Sequence, residues 1–380
     1  MAMPVGISAS CRWSARSRSF REGAVKLSLM KYMADEACNR TGQTGYPTLF
    51  CTGQLPERCQ GSRASSFYLP GRFSRVPESL ERKMMVLGGS ASIDLAGKVA
   101  KTLNAKHGEL EIKRFPDGEK YVRILDDVKD QNIVVVQSLY RNPDEYIMEL
   151  LLLVDALRDL GASSITGVVP YLAYARQDAR FKPGEAVSSL TIAKLFETVG
   201  MTSFMTVDTH LHRLEDVSKV FHIPAHNLSA MPLLGKYAQE NLNPKKPVVV
   251  GPDEEAEPWA AMVAKELDAE HTVFHKKRVS STKVEIDTGD VEFEGRDVVF
   301  ADDIISTGGT IAESARACTK KGAKRIFALC THPVLAEGAL ERMKNAGVRS
   351  VVGTDTIPSN VSKVTVAPVI AEGIRKTNGN

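Results

Sequence analysis

Cysteine is scarce in this chain, and no two of its six cysteines stand in a Cys-x-x-Cys pair or at another metal-ligand spacing. That pattern excludes a zinc ribbon and a disulfide scaffold. Cys11, Cys38, Cys51 and Cys59 lie near the start; Cys318 and Cys330 fall in apolar segments and read as inert core thiols of a reducing compartment. Long hydrophobic runs are missing too. None approaches the roughly 20 residues needed to cross a bilayer, so no membrane partner is expected. Nor does one sign of charge dominate: the formal net charge is +3 with 25% charged residues, and no basic footprint for nucleic acid stands out. Two familiar nucleotide loops are absent, since there is neither Gly-x-x-x-x-Gly-Lys-Ser/Thr nor Gly-x-Gly-x-x-Gly. What remains is 43% hydrophobic, an ordinary soluble composition, and at 380 residues long enough for two domains.

The charge is unevenly spread. Residues 1–83 carry 13 Lys/Arg against 6 Asp/Glu and the remainder 36 against 40, so the body is slightly acidic. Arg12, Arg16, Arg18 and Arg21, with five serines, precede the first acid, Glu22, which resembles an organellar transit peptide. The competing reading starts translation at Met84 or Met85, because regular structure begins abruptly at Met85. Either way residues 1–83 are excluded from the fold as disordered, transit or spurious sequence. The expected compartment is the cytoplasm, or an organelle if that segment directs import.

From Met85 onward, apolar runs of four to six residues alternate with helical periods, the signature of parallel α/β units. Strands are expected at Met85–Leu87, Leu110–Arg114, Ile133–Gln137, Ile165–Pro170, Phe204–Asp208, Val248–Gly251, Thr272–His275, Val298–Ala301, Ile326–Cys330 and Val351–Thr354. Helices are expected over Ser92–Asn104 and after Asn142-Pro143, the latter with proline at its first position and Asp144 and Glu145 in its first turn. Its Ile147, Leu150, Leu151, Val154 and Leu157 form one apolar stripe, read as core or subunit contact. Ten strands exceed one small sheet. Ala225 to Pro232 is read as the joint between two similar domains, 84–228 and 229–366. A last helix, Ala367–Lys376 within residues 367–380, could pack back on the first. No sequence repeat proves a duplication.

One stretch organises the rest. A buried strand, Val298–Ala301, ends in Asp302 and Asp303, passes through Ser306-Thr307-Gly308-Gly309-Thr310, and enters a helix expected over Ile311–Lys321. Backbone N–H groups of such a turn offer an anion site, and glycines let the backbone approach a phosphate. The carboxylates can hold sugar hydroxyls or help hold a divalent cation. The alternative is an ordinary strand-turn-helix joint with exposed acids.

Ligands of open parallel sheets bind at the carboxyl ends of strands, and five further strand ends carry polar clusters. In Phe115-Pro-Asp117-Gly118-Glu119, the ring could stack on a base while the carboxylates take its amine or a ribose hydroxyl; the segment also suits a plain surface turn ahead of Tyr121–Ile124. Arg176 and Gln177 could grip phosphate and a base edge. Asp208-Thr-His210-Leu-His212 lacks the further ligands of a zinc site. One of its histidines, with Asp253, could hold Mg2+, or be a satisfied strand-end histidine. Lys276, Lys277 and Arg278, ahead of Ser280-Ser281-Thr282, suit either a solvated charged face or a lid closing over a transferring phosphate. So many clusters point to a large polyanionic ligand and a metal.

Together these motifs closely resemble the ribose-phosphate pyrophosphokinase family, also called phosphoribosyl pyrophosphate synthetases, over about residues 85–376. The resemblance implies an α/β fold of two similar phosphoribosyltransferase-type domains, each a largely parallel sheet flanked by helices, with the site between them. It places ribose 5-phosphate on Asp302, Asp303, Ser306, Thr307, Gly308, Gly309 and Thr310, a motif shared with phosphoribosyltransferases generally. It places ATP on Phe115, Asp117, Gly118, Glu119, Arg176, Gln177 and Asp178, elements that ordinary phosphoribosyltransferases lack. By the same resemblance His210 and Asp253 meet the cofactor Mg2+. Lys276 and Arg278 form the catalytic pair of a flexible loop, with Arg278 also touching the sugar phosphate. A homo-oligomer, dimer or larger, is implied, whose ATP sites use residues of a neighbouring subunit.

Three departures point to archaeal-style members. Ser306 stands where many bacterial and animal members have a third aspartate, Gly251-Pro-Asp-Glu-Glu-Ala replaces a more glycine-rich version, and the catalytic loop is not the longer arginine- and proline-rich type. Phosphate activation and ADP regulation of the bacterial type are therefore not implied, and the transit reading of residues 1–83 is weakened. The implied reaction is attack of the ribose 5-phosphate C1 hydroxyl on the β-phosphorus of Mg·ATP with release of AMP, feeding nucleotide, histidine and tryptophan biosynthesis. One rival is a phosphoribosyltransferase, which has no reason to keep Arg176-Gln177 or Asp117-Gly-Glu119. The other is a catalytically silent regulatory subunit, which should have lost the charge of Lys276 and Arg278.

Overall fold

The computed structural model describes residues 84–209, 211, 216–278, 284–288 and 291–378, with only the backbone at 276–278, 284–286 and 378. The expectations for residues 1–83, for His210 and for the side chains of Lys276 and Arg278 lie outside the described residues. Those described fall within one of the chain's two compact units, Arg72–Asn380. Among them no helix is long and apolar enough to cross a membrane.

The first half runs β1 (Met84–Gly88), α1 (Ile93–Leu103), β2 (Lys106–His107), β3 (Leu110–Arg114), β4 (Lys120–Ile124), β5 (Asn132–Val136), α2 (Pro143–Asp159), β6 (Ser164–Val169), α3 (Ser188–Thr198), β7 (Ser203–Val207) and β8 (Ala225–Leu228). The second runs α4 (Met231–Tyr237), β9 (Val248–Gly251), α5 (Glu257–Leu267), β10 (Glu270–Val273), β11 (His275–Arg278), β12 (Val284–Asp287), β13 (Asp297–Ile304), α6 (Gly309–Lys320), β14 (Arg325–His332), α7 (Ala339–Asn345), β15 (Val348–Thr354), β16 (Ser362–Val364) and α8 (Ala367–Asn378). Central strands such as Ile133–Val136 and Val248–Val250 are unbroken apolar runs because helices cover both faces of their sheets.

Each half builds one six-stranded parallel sheet, β2-β1-β5-β6-β7-β8 and β10-β9-β13-β14-β15-β16. Counted within its own half, each follows the order 2-1-3-4-5-6. Each also inserts an antiparallel ribbon between its second and third strands, β3–β4 in one and β11–β12 in the other. The duplication that no residue pattern proves is plain in the topology. Helix α8 leaves the second sheet and packs on the first half, where Ile370, Ala371 and Ile374 join Leu95, Val99 and Leu103 in one buried cluster. Arg375 fastens it with a hydrogen bond to the Thr102 carbonyl at 2.6 Å.

Several expectations change in detail. Leu110–Arg114 is a strand as expected, but it pairs only with Lys120–Ile124 in a two-stranded ribbon, and Lys106–His107 takes the place beside β1. A polar two-residue strand carries no hydrophobic period to read. Ala225 to Pro232 is not a loose joint: Ala225–Leu228 is the last strand of the first sheet, and Met231 already begins α4. The strand expected over Thr272–His275 is divided, with Val273 ending β10 and His275 opening β11. Finally β13 runs on through both aspartates, pairing Asp302 with Cys330 and Ile304 with His332.

Candidate active site

In the second sheet the order 2-1-3 puts a reversal between β9 and β13, which pair from Val248↔Val298 to Val250↔Phe300. Connections diverge at such a point and leave a crevice beyond the carboxyl ends of the two strands. A cavity of about 250 Å³ occupies it, lined by Asp253 and Glu255 after β9, residues 302–311 from the end of β13 onward, and Arg176 from the first half.

Asp303 is buried and Asp302 half-buried. Burial, and then the neighbouring charges of Asp303 and Asp253, hold the Asp302 carboxyl well above the usual carboxylate range. Carboxylates crowded this way repel one another, and a divalent cation would relieve that repulsion. Beyond them the chain turns tightly. Gly308 takes φ +69°, and a Cβ there would stand 3.0 Å from Met343 and 3.1 Å from the Ala339 carbonyl. Thr307 Oγ1 accepts the Gly309 N–H at 3.4 Å, and α6 starts at Gly309, so that its first turn lines the cavity. The turn is braced from behind: the Ile305 and Ser306 carbonyls accept the N–H groups of Leu335 and Ala336, each at 3.0 Å. Arg342 donates to the Thr307 carbonyl.

Arg176 arrives on the loop between β6 and α3. Tyr174 in this loop has φ +66°, unusual for a bulky residue, and its hydroxyl is tied to Asp144. Among the described residues the Arg176 guanidinium makes no hydrogen bond or ion pair. It is a cationic fork beside an acidic crevice and the N-terminus of α6.

Behind the cavity the two halves meet through buried polar groups. Asp208, just past β7, accepts the Thr331 hydroxyl at 2.6 Å and the Ala230 N–H at 2.8 Å. Burial pushes its carboxyl up to about 6, against those hydrogen bonds. His332, at the end of β14, reaches the Val207 carbonyl and the Thr356 hydroxyl, each at 2.9 Å. Burial pushes its ring down to about 4.

Comparison with known proteins agrees with this geometry. The model for the N-terminal domain of ribose phosphate pyrophosphokinase matches residues 84–200, and that for the phosphoribosyl transferase domain matches residues 216–367. The chain is 42% identical over 288 residues to a ribose-phosphate pyrophosphokinase of Methanothermobacter thermautotrophicus, covering 76% of this chain and 99% of that one. It is 40% identical over 296 residues to that of Methanopyrus kandleri, covering 78% and 100%. The crystal structure of phosphoribosylpyrophosphate synthetase from Mycobacterium smegmatis superposes with a TM-score of 0.70 at 30% identity, covering 79% and 100%. The chain belongs to the ribose-phosphate pyrophosphokinase family.

Not every residue expected of a ribose-phosphate pyrophosphokinase lines this cavity. Phe115, Asp117, Gly118 and Glu119 sit at the tip of the β3–β4 ribbon, where Gly118 takes φ +98° and the Glu119 carbonyl accepts the Phe115 N–H at 2.8 Å. Phe115 is 48% exposed, its ring edge-on to Tyr121 at 5.9 Å. Gln177 and Asp178 do not line the cavity. The Gln177 carbonyl accepts the Ser189 N–H at 3.3 Å and its hydroxyl at 3.1 Å, and Asp178 is buried. The ribbon bearing Lys276 and Arg278 springs from beside Asp253, where the Phe274 N–H donates to the Gly251 carbonyl at 3.0 Å. Glu255, Arg342 and His332 join the site only through the fold. Glu255 stood inside a cluster already singled out. His332 could have been found only as a polar residue ending a parallel strand.

Proposed function

We propose that this crevice performs diphosphoryl transfer from ATP to the C1 hydroxyl of ribose 5-phosphate, yielding AMP and 5-phospho-α-D-ribose 1-diphosphate. The observation that carries the reading is Arg176, an open guanidinium from one half facing the anion-binding turn and carboxylates of the other. At about 250 Å³ the cavity is smaller than the roughly 300–1,000 Å³ that encloses a drug-sized ligand. It suits the phosphosugar, with the triphosphate lying across its open side toward Arg176.

In this reading Ser306 to Thr310 and the first turn of α6 hold the 5-phosphate, and Asp302 and Asp303 take ribose hydroxyls. Transfer of a phosphoryl group asks little covalent work of a protein; positioning and charge neutralisation dominate. Lys276 and Arg278 close over the transferring group and offset its charge and that of the departing AMP oxygen, with Arg278 also meeting the sugar phosphate. Asp253, with His210, would hold Mg2+. The donor set fits: Asp253, Asp302 and Asp303 line one cavity and their charges bear on one another, and a few carboxylates suit an ion that keeps its waters and takes phosphate oxygens. When bound, Mg2+ supplies charge neutralisation on the triphosphate. Phe115, Asp117, Gly118 and Glu119, exposed on their ribbon, meet the ATP of a neighbouring copy, while Gln177 and Asp178 shape the Arg176 loop. The enzyme is accordingly a homo-oligomer. Its buried free thiols, Cys318 and Cys330, suit the reducing cytoplasm.

Incubating the full chain with ATP and Mg2+, with and without ribose 5-phosphate, tests the reading. AMP forms only with the sugar phosphate. AMP without it, or none in either case, would overturn the assignment.

A further inference from the structure

The seam between the halves contains a buried histidine that the transfer step does not itself use. His332 touches three parts of the site. Its main-chain carbonyl accepts the Ile305 N–H at 3.2 Å, where the phosphate turn begins. Its ring Nε2 lies 2.9 Å from the Val207 carbonyl, at the end of β7. Its ring meets Tyr171, at the start of the Arg176 loop, edge to face at 5.1 Å. A pocket of about 80 Å³ beside the ring is lined by Tyr171, Arg176, Thr209 and Ile304 among others, so the seam opens directly on the residues that face substrate.

The protons of this network can be placed from its partners. A carbonyl only accepts, so Nε2 carries the ring proton. Nδ1 must then accept, and the Thr356 hydroxyl at 2.9 Å is its donor. The Thr356 hydroxyl also lies 2.8 Å from the Thr331 carbonyl, but with its proton given to Nδ1 that carbonyl is served by Thr354, at 2.7 Å. Thr331 in turn gives its hydroxyl proton to Asp208 at 2.6 Å. Every ring nitrogen is satisfied, and each bond crosses from one strand end to another. Buried polar networks that are fully satisfied rigidify and specify a single arrangement.

We infer that His332 is a positioning residue for the transfer, fixing the end of β7, the Arg176 loop and the phosphate turn relative to one another. The inference rests on the transfer reading above. Two half-sites carried by two sheets react only if their registration holds, and a displacement of about 1 Å can cost on the order of 100-fold in rate. A leucine at 332 would fill the space but strand the Val207 carbonyl, while the Thr356 hydroxyl would turn to the Thr331 carbonyl, 2.8 Å away. A glutamine can still donate to Val207.

The experiment compares the wild-type full chain with His332→Leu and His332→Gln in kcat, in KM for each substrate, and in amide hydrogen exchange over residues 203–209 and 302–307. The expected result for His332→Leu is a kcat lower by roughly 10- to 100-fold, with both KM values within about threefold of wild type, faster exchange in both segments, and substantial recovery in His332→Gln. Unchanged kcat and exchange in His332→Leu would overturn the inference. So would a loss of kcat matched by equal losses in both KM values and not recovered by glutamine, the mark of a fold merely weakened. The exchange comparison reads the seam whatever reaction the crevice performs, so a wild-type chain that forms no AMP would refute the transfer reading alone.

Discussion

The neutral ring of His332 has a consequence for stability. Its pKa falls from an ordinary 6.5 to about 4 because burial penalises the charged form, so between these values the unfolded chain binds more protons than the folded one. Stability must therefore rise with pH across that window: the contribution of the neutral ring is complete above 6.5 and is lost as pH falls toward 4. Integrated over the window this is about 3 kcal/mol. Urea unfolding of wild type and His332→Gln at pH 7 and pH 4 should show their difference shifting by about that amount, with the variant relatively better off in acid; parallel behaviour would mean that the ring is not neutral in the fold. Nothing in the sequence announced this residue, because one histidine past an apolar run looks the same whether it meets solvent or a second domain. Asp302 and Asp303 were legible, since two carboxylates at a strand end before a Ser-Thr-Gly-Gly-Thr turn have few other uses. That their crowding with Asp253 raises Asp302 depends on distances between strands that a sequence does not contain.

At the level of elements, the phosphate turn is the most constrained. Gly308 combines φ +69° with a Cβ position 3.1 Å from the Ala339 carbonyl. Gly308→Ala should therefore lose about 1–3 kcal/mol of stability and raise the KM for ribose 5-phosphate more than that for ATP; equal changes in both would place the turn outside the sugar-phosphate site. The turn and its helix were readable because glycine and helix-start chemistry are local. The ribbons were harder. Leu110–Arg114 has the apolar alternation of a sheet strand, and only the tertiary structure shows that it pairs with Lys120–Ile124 alone. Helix α2 hid a polar device among its apolar stripe. Its buried Glu149 accepts the Ser90 N–H and hydroxyl, each at 2.7 Å, Gln137 Nε2 at 2.9 Å and Lys120 Nζ at 2.8 Å. Burial works against the Lys120 ammonium, but its bonds to Glu149 and Glu145 outweigh this and raise its pKa. The carboxylate thus sits at the first sheet's own β1–β5 reversal, where the second sheet keeps an open crevice.

For the whole molecule, the repeated order 2-1-3-4-5-6 makes the two ribbons counterparts. One carries Phe115 to Glu119 and the other Lys276 and Arg278, so under the proposed function the same insertion would serve as nucleotide clasp in one half and as catalytic flap in the other. The clasp does not line the cavity of its own chain, and the account assigns it to a neighbouring copy. Asp117→Ala and Lys276→Ala chains should each lose about 100- to 1,000-fold in turnover, the usual cost of one preorganised group, and Lys276→Ala should still bind ATP. Mixed and allowed to exchange subunits, the two should regain activity that neither has alone, because some interfaces pair two intact ribbons. No recovery would place the clasp in its own chain's site. The central claim, transfer of an intact diphosphoryl group to the sugar's C1, is tested most directly by 31P NMR of the full chain with ATP, Mg2+ and ribose 5-phosphate. The account predicts AMP together with a sugar bearing a 5-phosphate and a coupled pair of diphosphate resonances. ADP with a sugar bisphosphate, or free diphosphate with no sugar diphosphate, would contradict it.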